Sequence, residues 1–163
     1  LKNHEIDRVI LTRPLVGVDR EDEKIGALPG DVSQKLQFWA MAMLDVLEER
    51  LGKAFLHYLL DNDKIVVAPM AYLRGTSFPD AYIHCTEAQN SSDAQIKMLL
   101  TRVGPNSTIC IEGDPLQSDL HRANGLDDAI ERLSDMKGVG VVRFTREDVV
   151  RSGFCQQVLE RYD

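Results

Sequence analysis

Three polar runs carry the groups whose chemistry stands out in this sequence: Thr12-Arg13, Glu87-Ala88-Gln89-Asn90 and Gly113-Asp114-Pro115-Leu116-Gln117. Each follows a short apolar run. Acids and amides at neighbouring strand ends suit the hydrolysis of a nucleoside triphosphate. A carboxylate can orient or deprotonate the attacking water, and an amide can sense the γ-phosphate. Each run also has an ordinary reading. A Glu just past a strand is commonly a solvated loop residue, and Gly-Asp-Pro is a frequent turn because Asp and Pro both favour turn geometry. Their joint occurrence at successive strand ends carries more than either does alone.

The elements that must position these groups follow from periodicity. Val9-Ile10-Leu11, Ile65 to Ala68, Ala81 to Cys85, Thr108 to Ile111 and Val139 to Phe144 read as short buried strands. Val16 to Pro29 is polar and Gly-containing and reads as a loop. Asp31 or Ser33 can cap a helix to about Leu51, with Leu36, Trp39, Ala40, Met43, Leu44 and Leu47 on one face. Gly52 breaks it, and Ala54 to Leu60 makes a second, shorter helix. Ser92 with Gln95 forms a capping box for a helix through about Arg102. A further helix covers Asp127 to Met136 and stops at Gly138, and Thr145 with Asp148 opens a C-terminal one. Strand and helix alternate, which predicts an α/β layered domain with a largely parallel sheet. Ligands of such sheets sit beyond the carboxyl ends of the strands, where the three polar runs fall.

Composition sets the outer bounds. The chain has 163 residues, 19 Lys and Arg against 26 Asp and Glu, and a net charge of −7. With 44% hydrophobic and 28% charged residues it is neither disordered nor collagen-like. The length suits one domain. No apolar run approaches the ~18–20 residues needed to span a bilayer, and the N-terminal residues have no apolar signal core. A cytoplasmic protein without a membrane partner is expected. The acidic balance argues against a surface coated in nucleic-acid-binding charge but leaves room for a local basic groove.

Taken in order, the runs resemble a known family. Glu87-Ala88-Gln89-Asn90 and Gly113-Asp114-x-x-Gln117-x-Asp119-Leu120 look like the second and third motifs of superfamily-one helicase-type ATPases. Leu11-Thr12-Arg13-Pro14, Leu28-Pro29-Gly30-Asp31, Ala68 to Gly75, Leu99 to Gly104 and Phe144-Thr145-x-x-Asp148-Val149-Val150-Arg151 resemble the PhoH-like family, in the right order, from about Val9 to Tyr162. The resemblance implies one RecA-like P-loop NTPase core over residues 1–163, with a three-layer, mostly parallel fold. It implies ATP and Mg²⁺ as cofactors, a ring-shaped homo-oligomer, and helicase-like action on RNA or single-stranded nucleic acid. Carried over by position, Glu87 would activate water and Gln117 would sense the γ-phosphate. Asp114 would sit near the metal or its waters. Gln89 belongs with the nucleotide-binding set, and Thr12, Arg13 and Arg74 would face the nucleotide edge or a nucleic-acid channel. Arg151 is a candidate arginine finger towards a neighbouring subunit, or a solvated helix-end cation.

Two departures count against that activity. No Gly-x-x-x-x-Gly-Lys-[Ser/Thr] occurs, and no Lys is followed by Ser or Thr. Such a loop cradles phosphates with its backbone N–H groups and its Lys. In the family it precedes Thr-Arg-Pro by a few tens of residues, on a central strand flanked by those near Ile109 and Val141. The residues therefore read as part of a longer polypeptide, consistent with a first residue that is not Met. The second departure is Thr86, where the family carries the Asp that holds Mg²⁺ through water. A neutral hydroxyl attracts a hard cation weakly, so slow or absent hydrolysis is expected unless Asp114 compensates. The rival reading is a catalytically degenerate, non-enzymatic binding or assembly module.

The remaining candidates read as structural. Cys85, Cys110 and Cys155 are too few for a disulfide framework and lack zinc spacing. Cys85 and Cys110 should lie on neighbouring strands, so a contact is conceivable, but buried, inert thiols are the better reading. The four His residues are scattered and lack a nucleophile partner. Arg74-Gly75-Thr76 is the better nucleic-acid candidate, because Gly beside Arg lets backbone approach a phosphate.

Overall fold

The computed structural model describes residues 5–14, 32–118, 124–145, 148, 150 and 152–162. The side chains of 32–39, 156, 159, 160 and 162 lie outside that description. So do the loop expected over Val16 to Pro29, the Leu28 to Asp31 motif, and Arg151. The described residues form two compact units, divided after Arg132.

Four strands build the first unit: β1 (Arg8–Thr12), β2 (Ile65–Val67), β3 (Ala81–Cys85) and β4 (Thr108–Ile111). They lie in the order β2-β1-β3-β4, and every pair is parallel. Val9 pairs with Ile65 on one side and Tyr82 on the other, and Ile83 pairs with Ile109. Parallel neighbours need long crossovers. These are supplied by α1 (Val32–Leu51) and α2 (Lys53–Asp61) between β1 and β2, and by α3 (Asp93–Leu100) between β3 and β4. Gly52, at φ 80°, ends α1 and starts α2. The α4 helix (Gly125–Leu133) follows β4. This is an α/β fold of the RecA-like P-loop NTPase kind, as expected.

Alternation along the strands splits the core in two. Leu11 and Ile65 meet Leu56 and Leu59 of α2, with Met43, Leu44 and Leu47 of α1 against them. Ile10, Ala81, Ile83 and Cys85 face the other way, towards Met70, Leu73, Ile96, Leu99 and Leu126. Fully burying a side chain such as Ile83 stabilises the fold by roughly 1.5–3 kcal/mol. Cys85 and Cys110 lie on neighbouring strands as expected, but Cys110 is half-buried rather than buried. Cys85 pairs in register with Ile111 while Cys110 pairs with His84, so the two thiols project from opposite faces.

The capping box of α3 forms as expected. Ser92 Oγ accepts from Gln95 N–H (3.3 Å), and Gln95 Oε1 accepts from Ser92 N–H (2.8 Å). The α4 helix starts two residues before the expected Asp127, because Asn124 caps it. Asn124 Oδ1 accepts from Asp127 N–H at 2.9 Å. Among the described residues no helix is long and apolar enough to cross a membrane.

In the second unit the expected strand over Val139 to Phe144 does not form. It has no ladder partner among the described residues, and Val142 and Phe144 are 78% and 83% exposed. β-branched composition favours a strand only where a neighbouring strand takes up its N–H and C=O groups. Thr145 and Asp148 close a turn rather than open the helix. Asp148 Oδ2 accepts from Thr145 N–H (2.7 Å) and Oγ1 (3.0 Å), which holds its carboxyl below the usual range. The last helix, α5, spans Gly153–Tyr162.

Candidate functional site

The carboxyl ends of β3 and β4 lie side by side and exchange backbone hydrogen bonds. Glu112 N–H donates to Cys85 O (2.9 Å), and Ala88 N–H donates to Glu112 O (3.0 Å). On the other side, Thr86 N–H donates to Thr12 O (3.0 Å). The exits of β1, β3 and β4 are thus held at one edge. Between Thr86 and the short 3₁₀ turn Ala88–Asn90, Glu87 takes the left-handed conformation, φ 56° and ψ 31°. For a non-glycine residue that costs about 1 kcal/mol or more, and it turns the Glu87 side chain out to solvent.

From Glu87 a line of hydrogen bonds crosses to the next strand exit. Gln89 Nε2 donates to Glu87 Oε2 at 2.8 Å. Asp114 N–H donates to Gln89 Oε1 at 3.2 Å. The Asp114 carboxylate accepts from Leu116 N–H (3.0 Å) and from Gln117 Nε2 (2.7 Å), which closes the turn Pro115–Gln117. Ser118 Oγ donates to Gln89 O at 2.9 Å. Glu87, Gln89, Asp114 and Gln117, singled out separately in the sequence, are therefore one connected group. Glu87, Asp114 and Gln117 are exposed, while Gln89 is only 2% exposed.

Gly113 makes this closeness possible. A Cβ there would stand 2.5 Å from Gln89 Oε1 and 2.9 Å from Gln89 N. Its part was missed in the sequence, where the only signal was a Gly heading a turn.

The other candidates stand apart from this group. Thr12 has no exposed surface, and its hydroxyl has no hydrogen-bond partner among the described residues. It lies opposite Cys85 in register, on the buried face. Arg13 is half-buried beside it, and its carbonyl accepts from Met70 N–H at 3.2 Å. Thr86 is half-buried, with Oγ1 3.9 Å from Met43 Sδ. Arg74 is exposed after the turn Met70–Leu73 that follows β2, next to Gly75 at φ 84°. Met70 and Leu73 pin that turn into the core.

Two electrostatic shifts fall on β3, one of them at its last residue. Burial pushes the Cys85 thiol up to about 12, with Glu112 and Cys110 adding to it. Burial also raises Tyr82, helped by its hydrogen bond with Cys110. His84 Nε2 lies 3.4 Å from Glu112 Oε1. Among the described residues no group of three or more His, Cys, Asp or Glu could hold a metal ion. A cation at these exits would have to bring most of its oxygen ligands with it. Mg²⁺ in nucleotide sites uses one or two carboxylates, with phosphates and waters completing its shell.

The all-parallel sheet with helices in its crossovers is the α/β architecture of the RecA-like P-loop class, with acid and amide groups gathered at two adjacent strand exits. A family model described as PhoH-like protein matches residues 1–163, and the chain belongs to that family. It is 44% identical over 166 residues to Protein PhoH of Escherichia coli, covering 99% of this chain and 46% of that protein. The PhoH-like protein of Synechocystis is 40% identical over 165 residues, covering 100% of this chain and 49% of that one. The PhoH-like protein of Bacillus subtilis is 39% identical over 165 residues, covering 100% and 51%. The chain thus spans about half the length of the curated relatives it matches.

Proposed function

We propose that the protein binds ATP and hydrolyses it, coupling turnover to action on RNA or single-stranded nucleic acid. The observation that carries the reading is the connected line from Glu87 to Gln117 across two adjacent strand exits. Glu87, exposed and held in the left-handed conformation, is the carboxylate that orients and deprotonates the attacking water. Gln117, tied to Asp114, senses the γ-phosphate. Mg²⁺ bound with the nucleotide supplies charge neutralisation at the phosphates, and Asp114, supported by Thr86, faces it or its waters. Arg13 lies along the nucleotide edge. Arg74, beside Gly75, offers a guanidinium and close backbone approach to a nucleic-acid phosphate. Arg151, outside the described residues, is assigned as an arginine finger towards a neighbouring copy in a homo-oligomeric ring. The setting is cytoplasmic.

Residues 1–163 contain no Gly-x-x-x-x-Gly-Lys-[Ser/Thr], so this reading requires a phosphate-binding loop supplied from outside them. The test is ATP turnover by the whole protein, with and without single-stranded RNA. The expected result is Mg²⁺-dependent turnover, raised by RNA and lowered about 10²–10⁴-fold by Glu87→Gln with ATP binding kept. Absence of both binding and turnover would overturn it. A second reading, a degenerate module that binds or assembles without hydrolysis, is favoured by Thr86, a neutral side chain where the family carries a carboxylate. ATP binding without turnover would select it.

A further inference from the structure

The carboxamide of Gln89 is buried, and its two ends are used in opposite senses. Nε2 donates to the Glu87 carboxylate, and Oε1 accepts from the Asp114 N–H. The reverse orientation would set a donor against a donor and an acceptor against an acceptor, so only one satisfies both neighbours. Neither a carboxylate nor an apolar side chain of similar length can serve both. The backbone repeats the tie, since Ser118 Oγ donates to Gln89 O and Ala88 N–H to Glu112 O. Gly113 leaves the space the amide occupies. With both polar atoms engaged and 2% of its surface exposed, Gln89 has little left to offer a nucleotide.

We infer that Gln89 is the positioning residue of the site. It fixes the Glu87 carboxylate relative to the loop bearing Asp114 and Gln117, so that the water-activating group and the γ-phosphate sensor keep one register. The inference rests on the proposed ATPase reading and differs from the role suggested by motif resemblance, in which Gln89 contacts the nucleotide. A nucleotide contact acts on affinity. A positioning residue acts through Glu87 and leaves affinity nearly unchanged.

Three substitutions in the whole protein separate these roles. Gln89→Met keeps the length and removes both hydrogen bonds. Gln89→Glu keeps an acceptor for Asp114 N–H but sets a second carboxylate against Glu87. Gly113→Ala crowds the amide without altering any polar group, and serves if the Gln89 variants do not fold. The readouts are kcat and KM for ATP, affinity for a non-hydrolysable ATP analogue, and the side-chain amide proton signals of Gln89 by NMR. We expect kcat to fall about 10–100-fold in each variant, with analogue affinity within about threefold of the parent. In a Glu87→Gln background, Gln89→Met should lower the residual rate no further, because the group it positions is already gone. The Gln89 amide signals should shift on Glu87→Gln without nucleotide. Lost analogue affinity with kcat retained would make Gln89 a ligand contact and overturn the inference, as would an equal loss in the Glu87→Gln background. A parent that turns over ATP but is indifferent to all three changes sinks the inference alone. A parent that turns over none sinks the ATPase reading and this inference with it.

Discussion

Gly125 lies against the main chain of Ser92, so close that a Cβ on residue 125 would stand 2.4 Å from the Ser92 carbonyl oxygen. Its N–H donates to Ser91 O at 2.7 Å. The start of α4 is thereby seated on the start of α3, below the turn that carries Gln89. Rigid backbone cannot yield to a methyl at that distance. Gly125→Ala should destabilise the fold by about 1–3 kcal/mol, read as a lowered denaturant midpoint. An unchanged midpoint would mean the two helix starts can part without cost.

Ser92 and Gln95 satisfy one another's backbone donors, and that reciprocity is measurable. Ser92→Ala should cost about 1 kcal/mol. Gln95→Ala should cost less, and the double variant less than the sum, because each bond supports the other. Strict additivity in thermal unfolding would count against a true box.

The cysteines differ in burial, and their reactivity should follow. Cys155 is exposed, Cys110 half-buried and Cys85 buried. A thiol reagent should therefore modify Cys155 first, Cys110 more slowly and Cys85 only on unfolding. Rapid labelling of Cys85 in the folded protein would contradict its packing between Ile83 and the α3 side of the core.

Cys85 also predicts an alkaline limb of stability. Its folded thiol is pushed up to about 12, whereas an unfolded thiol ionises near about 8.5. The stability it contributes is fully present below the unfolded value. As pH rises from there through about 12, the unfolded state sheds its proton first and that stability is lost, by up to about 1.4 kcal/mol per unit. Tyr82, also raised, acts in the same direction at higher pH. Denaturant midpoints should fall less steeply between pH 8.5 and 10.5 in Cys85→Ala than in the parent; equal slopes would assign the limb elsewhere.

Thr86 offers a test of metal organisation. On the proposed ATPase reading, Thr86→Asp places a charge beside Glu87, on the strand exit next to that of Asp114. It should raise Mg²⁺-dependent ATP turnover about tenfold, mostly by lowering the Mg²⁺ concentration needed. No gain would show that Asp114 already suffices or that Mg²⁺ does not meet this exit.

What could be read in advance was what lies locally in the chain. Val9-Ile10-Leu11 announces itself as a short apolar run, and Ala81 to Cys85 as an alternation of buried and half-buried residues. Ser92 and Gln95 reveal a helix start within four residues. Val139 to Phe144 has the same composition, yet no strand forms, because a ladder depends on a neighbour that composition does not encode. The helix expected from Asp127 starts earlier because Asn124 caps it. The motif order singled out Glu87, Gln89, Asp114 and Gln117. Their hydrogen-bonded connection was not legible, since it depends on Gly113 bringing two loops together and on the left-handed turn at Glu87. Nor was the burial of Thr12, which follows from the face it takes opposite Cys85.

The strand order has a consequence for how the protein is made. β1 is paired on both edges, but Ile65, the partner of Val9, and Tyr82, on its other side, are both synthesised long after it. At roughly 5–20 residues per second, the apolar run Val9-Ile10-Leu11 waits on the order of several seconds for its first neighbour and longer for its second. A nascent chain therefore carries β1 unpaired until β2 and then β3 have emerged, and its yield in a cell should depend on what shields that strand in the meantime.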